Sequence, residues 1–128
     1  MPLTARDNQR LATCDPRLVR LVEYVARFWP CMVLEGHRDQ LHQDAAHAAG
    51  KSQLKWPHGK HNSYPSTAVD LAPLPLDWND TERFLAFADF VTGAAHRLRV
   101  PLRWGGDWDG DPATPNRFQD LVHHEIAG

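Results

Sequence analysis

Apolar residues in the first third of the chain recur at helical spacing. Leu18, Leu21, Val22, Val25 and Phe28 form one stripe, Asp15-Pro16 supplies an N-cap and a first helical residue, and Pro30 stops the run. This predicts an amphipathic helix over residues 16–28. The fourteen residues before it show no such pattern and read as an irregular lead-in. Cys31-Met32-Val33-Leu34 is a short apolar run of the kind a buried strand uses, and it ends at Glu35-Gly36. Residues 39–49 predict a second helix closed by Gly50. Residues 51–66, rich in Pro, Gly, Asn and Ser, predict a long loop, and loops of that length in a small domain often carry function.

Beyond the loop, Thr67 to Leu71 predicts a strand. Asn79 or Asp80 then caps a helix over residues 81–98 with Phe84, Leu85, Ala88, Val91, Ala95 and Leu98 on its stripe. Val100–Trp104 and Leu121–Ile126 predict two further strands, separated by a loop rich in glycine and aspartate. Helices and strands mix without regular alternation, which gives an α+β class: one small domain over residues 1–128, a few helices on a short, mainly antiparallel sheet.

Composition changes this picture little. The chain has 128 residues, 42% apolar and 23% charged, with a net charge of -2. That is an ordinary globular composition with no basic run, so no nucleic-acid partner is expected. The N-terminus is polar, with no apolar core of a secretory signal, and no segment is long enough to span a bilayer. No signal peptide and no stable membrane association are therefore expected, and a monomer is the default. The two cysteines, Cys14 and Cys31, form no metal-binding pair and read as reduced, partly buried thiols.

The titratable residues matter more. Of the eight histidines, His42 and His47 lie on an exposed-looking helix and His96 near a helix C-terminus, where surface roles suffice. Asp70 is different, because its neighbours Ala68, Val69, Leu71 and Ala72 head for the core. A lone buried carboxylate requires a cation, a metal or several donors. In Asp120-Leu121-Val122-His123-His124-Glu125-Ile126, strand alternation puts His123 and Glu125 on one face and His124 on the other. Periodicity leaves open which histidine faces a site; a satisfied core histidine beside a surface one would serve equally well. His61, Asp70 and one of the pair would make a His₂Asp set, the donor number of a catalytic zinc site. Asp120, three residues before His123, is placed to act as a base.

These residues, in this order, resemble the zinc D,D-/L,D-peptidases of the VanY-like (M15) family, phage endolysins with L-alanyl-D-glutamate peptidase activity among them. Glu35-Gly36-His37-Arg38, Gln43 and Gly50-Lys51-Ser52 resemble its first segments. Lys60-His61-Asn62, Pro65-Ser66 and Ala68-Val69-Asp70 resemble the first ligand segment, and Trp104-Gly105-Gly106-Asp107-Trp108 with Asp120-Leu121-Val122-His123 the last. Gly59 stands where the commoner motif has serine, Ser66 where it has glycine, and His124 where an aromatic residue is common.

The resemblance implies one Zn²⁺ held by His61, Asp70 and His123 in a surface cleft, with Asp120 as general base. It implies that Arg38 stabilises the oxyanion or binds a substrate carboxylate, and that Asp107 and Trp104 contact substrate. Arg38 also has a plainer reading, an ion pair with Glu35 or Asp39; Trp104 has one in loop packing. The substrate implied is bacterial peptidoglycan, and the setting is a lysin held in the host cytoplasm until lysis. A D-alanyl-D-alanine carboxypeptidase and a non-catalytic zinc-stabilised virion or binding module remain as alternatives.

Overall fold

The computed structural model describes residues 2–52, 54–106 and 120–127. Its elements run α1 (Ala5–Leu11), α2 (Pro16–Phe28), β1 (Cys31–Glu35), α3 (Gln40–Ala48), β2 (Ala68–Pro73), α4 (Thr81–Leu98), β3 (Leu102–Trp104) and β4 (His123–Ile126). The four strands form one antiparallel sheet in the order β1-β2-β4-β3. The α+β expectation therefore holds, and no strand end shifts by more than two residues.

The lead-in is not irregular. It contains α1, started by a reciprocal capping box in which the Thr4 hydroxyl accepts from the Asp7 N–H and the Asp7 carboxylate accepts from the Thr4 N–H. The signal, Thr-x-x-Asp, uses aspartate where glutamate or glutamine is usual. Asp7 is itself buried and its other oxygen accepts from the Val33 N–H at 2.9 Å, so the cap also ties α1 to β1.

Leu18, Leu21, Val22 and Val25 of α2 are completely buried, each contributing roughly 1.5–3 kcal/mol relative to exposure. They pack with Phe87, Val91, Ala94 and Ala95 of α4 and with Val33, Val69, Leu71 and Ile126 of the sheet. In α4 the stripe is turned slightly from the expected one: Phe87 is buried and Leu85 is 42% exposed. Trp29, just past α2, sets its ring edge-on to Phe87 at 5.4 Å on the inward face of α4.

α1, α2 and α4 thus pack against one face of the sheet, while α3 contributes no residue to this core. Because side chains alternate along a strand, Asp70, between Val69 and Leu71, and His123 and Glu125, flanking His124, present to the other face. A bulge in β1 adds a residue to that argument. Val33 pairs with Leu71 and Glu35 with Asp70, so Leu34 is extra and Glu35 comes opposite Asp70.

Candidate metal centre

Three elements from distant parts of the chain deliver one donor each. Nε2 of His61 lies 3.1 Å from Oδ1 of Asp70 and 3.2 Å from Nδ1 of His123, and Nδ1 of His123 lies 3.3 Å from the same Asp70 oxygen. Among the described residues this is the group of histidine, cysteine and acidic side chains able to hold a metal ion. The donors keep only 3%, 8% and 8% exposure.

Each imidazole is aimed by its other nitrogen. Nδ1 of His61 is 2.7 Å from the Gly36 carbonyl, which can only accept, so Nδ1 carries the proton and Nε2 presents its lone pair. Nε2 of His123 is 2.8 Å from Oε1 of Glu125 and donates to it, which turns Nδ1 toward His61 and Asp70. Metal sites use outer acceptors of this kind to fix the tautomer and orientation of an imidazole. Borderline nitrogen donors with one carboxylate suit a divalent ion of the zinc type. The residues fit such an ion on the chemistry and aim of their donors.

Electrostatics support the same reading. Burial would raise the Asp70 carboxyl, yet the His61 and His123 imidazoles beside it hold it well below the usual carboxylate range. Burial alone would lower His123, but hydrogen bonds to Asp70 and Glu125 raise it to about 9, so the pocket attracts positive charge. Asp120 moves the other way: burial, and then the Asp70 charge, push its carboxyl up, while His123 and His61 pull it down. Its charge is also felt at Arg38.

Arg38 settles between its two sequence readings. Nε and Nη2 donate to the two Glu35 oxygens at 2.9 and 2.7 Å, and Nη1 donates to Oε1 of Gln43 at 2.9 Å. The ion pair is with Glu35 and not with Asp39, which instead caps α3 by accepting from the His42 N–H. Nor is it on the surface: the Arg38 side chain is 12% exposed, and Nη2 lies 3.9 Å from Oδ2 of Asp70.

Gly105 explains how Asp120 and His123 are held. Its N–H donates to the His123 carbonyl at 2.8 Å and its carbonyl accepts from the Asp120 N–H at 2.9 Å. A side chain there would run into the Asp120 carbonyl oxygen and the Cβ of His123. Trp104 is half-buried; its indole N–H donates to the Leu121 carbonyl at 2.9 Å, and its ring lies against Gly106. Asp107 lies outside the described residues. His37 sets Nδ1 3.0 Å from the Ser63 carbonyl and its ring edge on Tyr64, away from the three donors.

His124 departs from expectation. The pair is not one core and one surface histidine: both are buried, and His124 is wholly so. It stands opposite Val69 and Trp104, and among the described residues neither ring nitrogen has a hydrogen-bond partner. Burial lowers it to about 3, so it is neutral. The sequence named Asn62 and Gly59 only as parts of a motif and Glu35 only as one ion-pair partner for Arg38; the contacts of Asn62 and Gly59 are made across the loop, and the position of Glu35 depends on the bulge.

Comparison with known proteins agrees with this geometry. The family model for phage L-alanyl-D-glutamate peptidase matches residues 1–126. The L-alanyl-D-glutamate peptidase of Escherichia phage T5 is 31% identical over 107 residues, covering 80% of this chain and 77% of that protein. The crystal structure of the L-Ala D-Glu endopeptidase ChiX from Serratia marcescens superposes with a TM-score of 0.79 at 26% identity, covering 99% of this chain and 90% of that one. With its antiparallel sheet, its buried His-Asp-His group and this match along its length, the chain belongs to the phage L-alanyl-D-glutamate peptidase family.

Proposed function

We propose that the chain is a zinc-dependent endopeptidase that cuts the bond between L-alanine and D-glutamate in the stem peptide of bacterial peptidoglycan. The observation that carries this is the convergence of His61 Nε2, Asp70 Oδ1 and His123 Nδ1, each within 3.3 Å of the other two, in a chain of this family. A zinc ion bound by these three residues supplies a Lewis acid that makes water a better nucleophile and polarises the scissile carbonyl.

The chain's own groups do the rest. Asp120, its carboxyl raised by burial, takes a proton from the attacking water as the C–O bond forms. The same carboxyl then returns that proton to the amine nitrogen as the C–N bond breaks. The carbonyl oxygen carries negative charge in between, and the Arg38 guanidinium is the nearby fixed cation to oppose it. The indole N–H of Trp104 is engaged with Leu121, so a substrate contact there would use the ring.

Arg38 also bears on the carboxypeptidase alternative. A carboxypeptidase needs a cation whose paired N–H groups are open to a terminal carboxylate. Arg38 turns that edge to Glu35, which favours an endopeptidase. Among the described residues no helix is long and apolar enough to cross a membrane, as a water-borne wall enzyme requires.

Digestion of purified peptidoglycan, with and without chelator, tests the reading by the masses of the products. Expected are peptides that begin with D-glutamate, formed only when zinc is present. Release of free D-alanine would assign the carboxypeptidase instead, and an undigested wall would leave the binding-module alternative.

A further inference from the structure

We propose that Gln43 is a positioning residue that locks the guanidinium of Arg38 in place; its bearing on turnover rests on the role given to Arg38 above. Gln43 is completely buried on α3, a helix whose other described residues are exposed or half-exposed. It is not buried for its hydrophobicity, and every polar atom of its carboxamide is used. Nε2 donates to Ser52 Oγ at 3.0 Å and to the Leu54 carbonyl at 2.6 Å. Oε1 accepts from Arg38 Nη1 at 2.9 Å and from Asn62 Nδ2 at 3.1 Å.

The orientation of that amide is forced. A backbone carbonyl can only accept, so the Gln43 –NH₂ must face Leu54, and the oxygen has no choice but to face Arg38 and Asn62. Asn62 is fixed in the same manner: Gly59 donates its N–H to Oδ1 at 2.8 Å, and Nδ2 reaches the Arg38 carbonyl at 3.2 Å as well as Gln43. The Arg38 N–H in turn donates to the His61 carbonyl at 2.7 Å. Arg38 is thus gripped at its backbone by the His61 loop and at its guanidinium by Glu35 on one edge and Gln43 on the other.

Glu35 alone would leave the guanidinium free to swing with the carboxylate about their shared axis. Gln43 removes that freedom by holding Nη1, which fixes the plane relative to Asp70. A guanidinium has five N–H donors. Glu35 and Gln43 take three, and the plane they set determines where the rest point. An electrostatic contribution of this kind depends on the donor being in place before charge develops, and a shift of about 1 Å can cost about 10²-fold in rate.

The test combines a spectrum with a double-mutant cycle on the full-length, zinc-loaded protein. In the wild type, ¹⁵N NMR should show separate, slowly exchanging Nη–H resonances for Arg38; one averaged signal would overturn the proposal without any variant. In Gln43→Met, which keeps the length and loses the hydrogen bonds, those resonances should collapse while zinc content stays at one per chain. Cleavage of a synthetic stem peptide by Gln43→Met should lose about 10²-fold in kcat with KM nearly unchanged. In an Arg38→Ala background the same substitution should cost nothing further. An equal loss in both backgrounds would mean that Gln43 merely supports the fold, and would sink the proposal. Should wild-type protein cleave no stem peptide, the assigned function fails, while the spectra still decide whether Gln43 holds Arg38.

Discussion

Nε2 of His123 lies 2.8 Å from Oε1 of Glu125, two residues further along the same strand. One strand face therefore supplies both a donor nitrogen and the acceptor that aims it. Glu125 is 7% exposed. Replacing it by glutamine keeps an acceptor oxygen and removes the charge. Metal affinity of Glu125→Gln should fall about 10-fold or more, read by competition with a chromogenic chelator. An unchanged affinity would show that Glu125 does not tune the site.

Asp120 is the residue proposed above as general base, its carboxyl pushed up by burial beside Asp70. The Asp120→Asn variant should bind zinc as the wild type does and lose about 10²–10⁴-fold in turnover. Elemental analysis beside a wall-digestion assay checks both halves. A variant that stays active removes Asp120 from the reaction.

His124 is buried opposite Val69 and Trp104, and among the described residues both its nitrogens are unpaired. Burying polar atoms without partners costs about 1–3 kcal/mol, and an aromatic hydrocarbon in that space avoids the cost. His124→Phe should raise stability by about 1–2 kcal/mol in thermal or denaturant unfolding. A loss instead would mean that the larger ring overfills the space.

Thr4 and Asp7 open α1 together, but Asp7 also accepts from Val33 in β1. Thr4→Ala should cost about 1 kcal/mol, as cap losses do. Asp7→Ala should cost clearly more, because it leaves the buried Val33 N–H unpaired as well. Urea unfolding of the two variants side by side gives the comparison, and equal losses would show that the link to β1 contributes nothing.

Cys14 and Cys31 are both buried, and burial raises each thiol to about 11. The reactive thiolate becomes abundant only as pH approaches that value. At pH 8 a thiol-specific colour reagent should leave native protein unmodified and report two thiols after denaturation. Rapid reaction of native protein would contradict the burial.

The sequence by itself determined the long helices, since α2 and α4 carry their stripes, caps and stops within a few residues each. It also determined that Asp70 needed a counter-charge, because an acid among Ala68, Val69, Leu71 and Ala72 is out of place whatever surrounds the strand. The choice between His123 and His124 was not local. Alternation separates the two faces of β4, but only the sheet, with helices on one side and the His61 loop on the other, decides which face meets Asp70. Glu35 opposes Asp70 only because Leu34 is an extra residue in β1, and a one-residue shift in a strand turns every side chain over. Gln43 and Asn62 gain meaning from hydrogen bonds that cross 5 to 24 positions of chain. Local propensities act over a turn or a strand; the aim of a donor and the plane of a guanidinium are set by partners that only folding brings within hydrogen-bond distance.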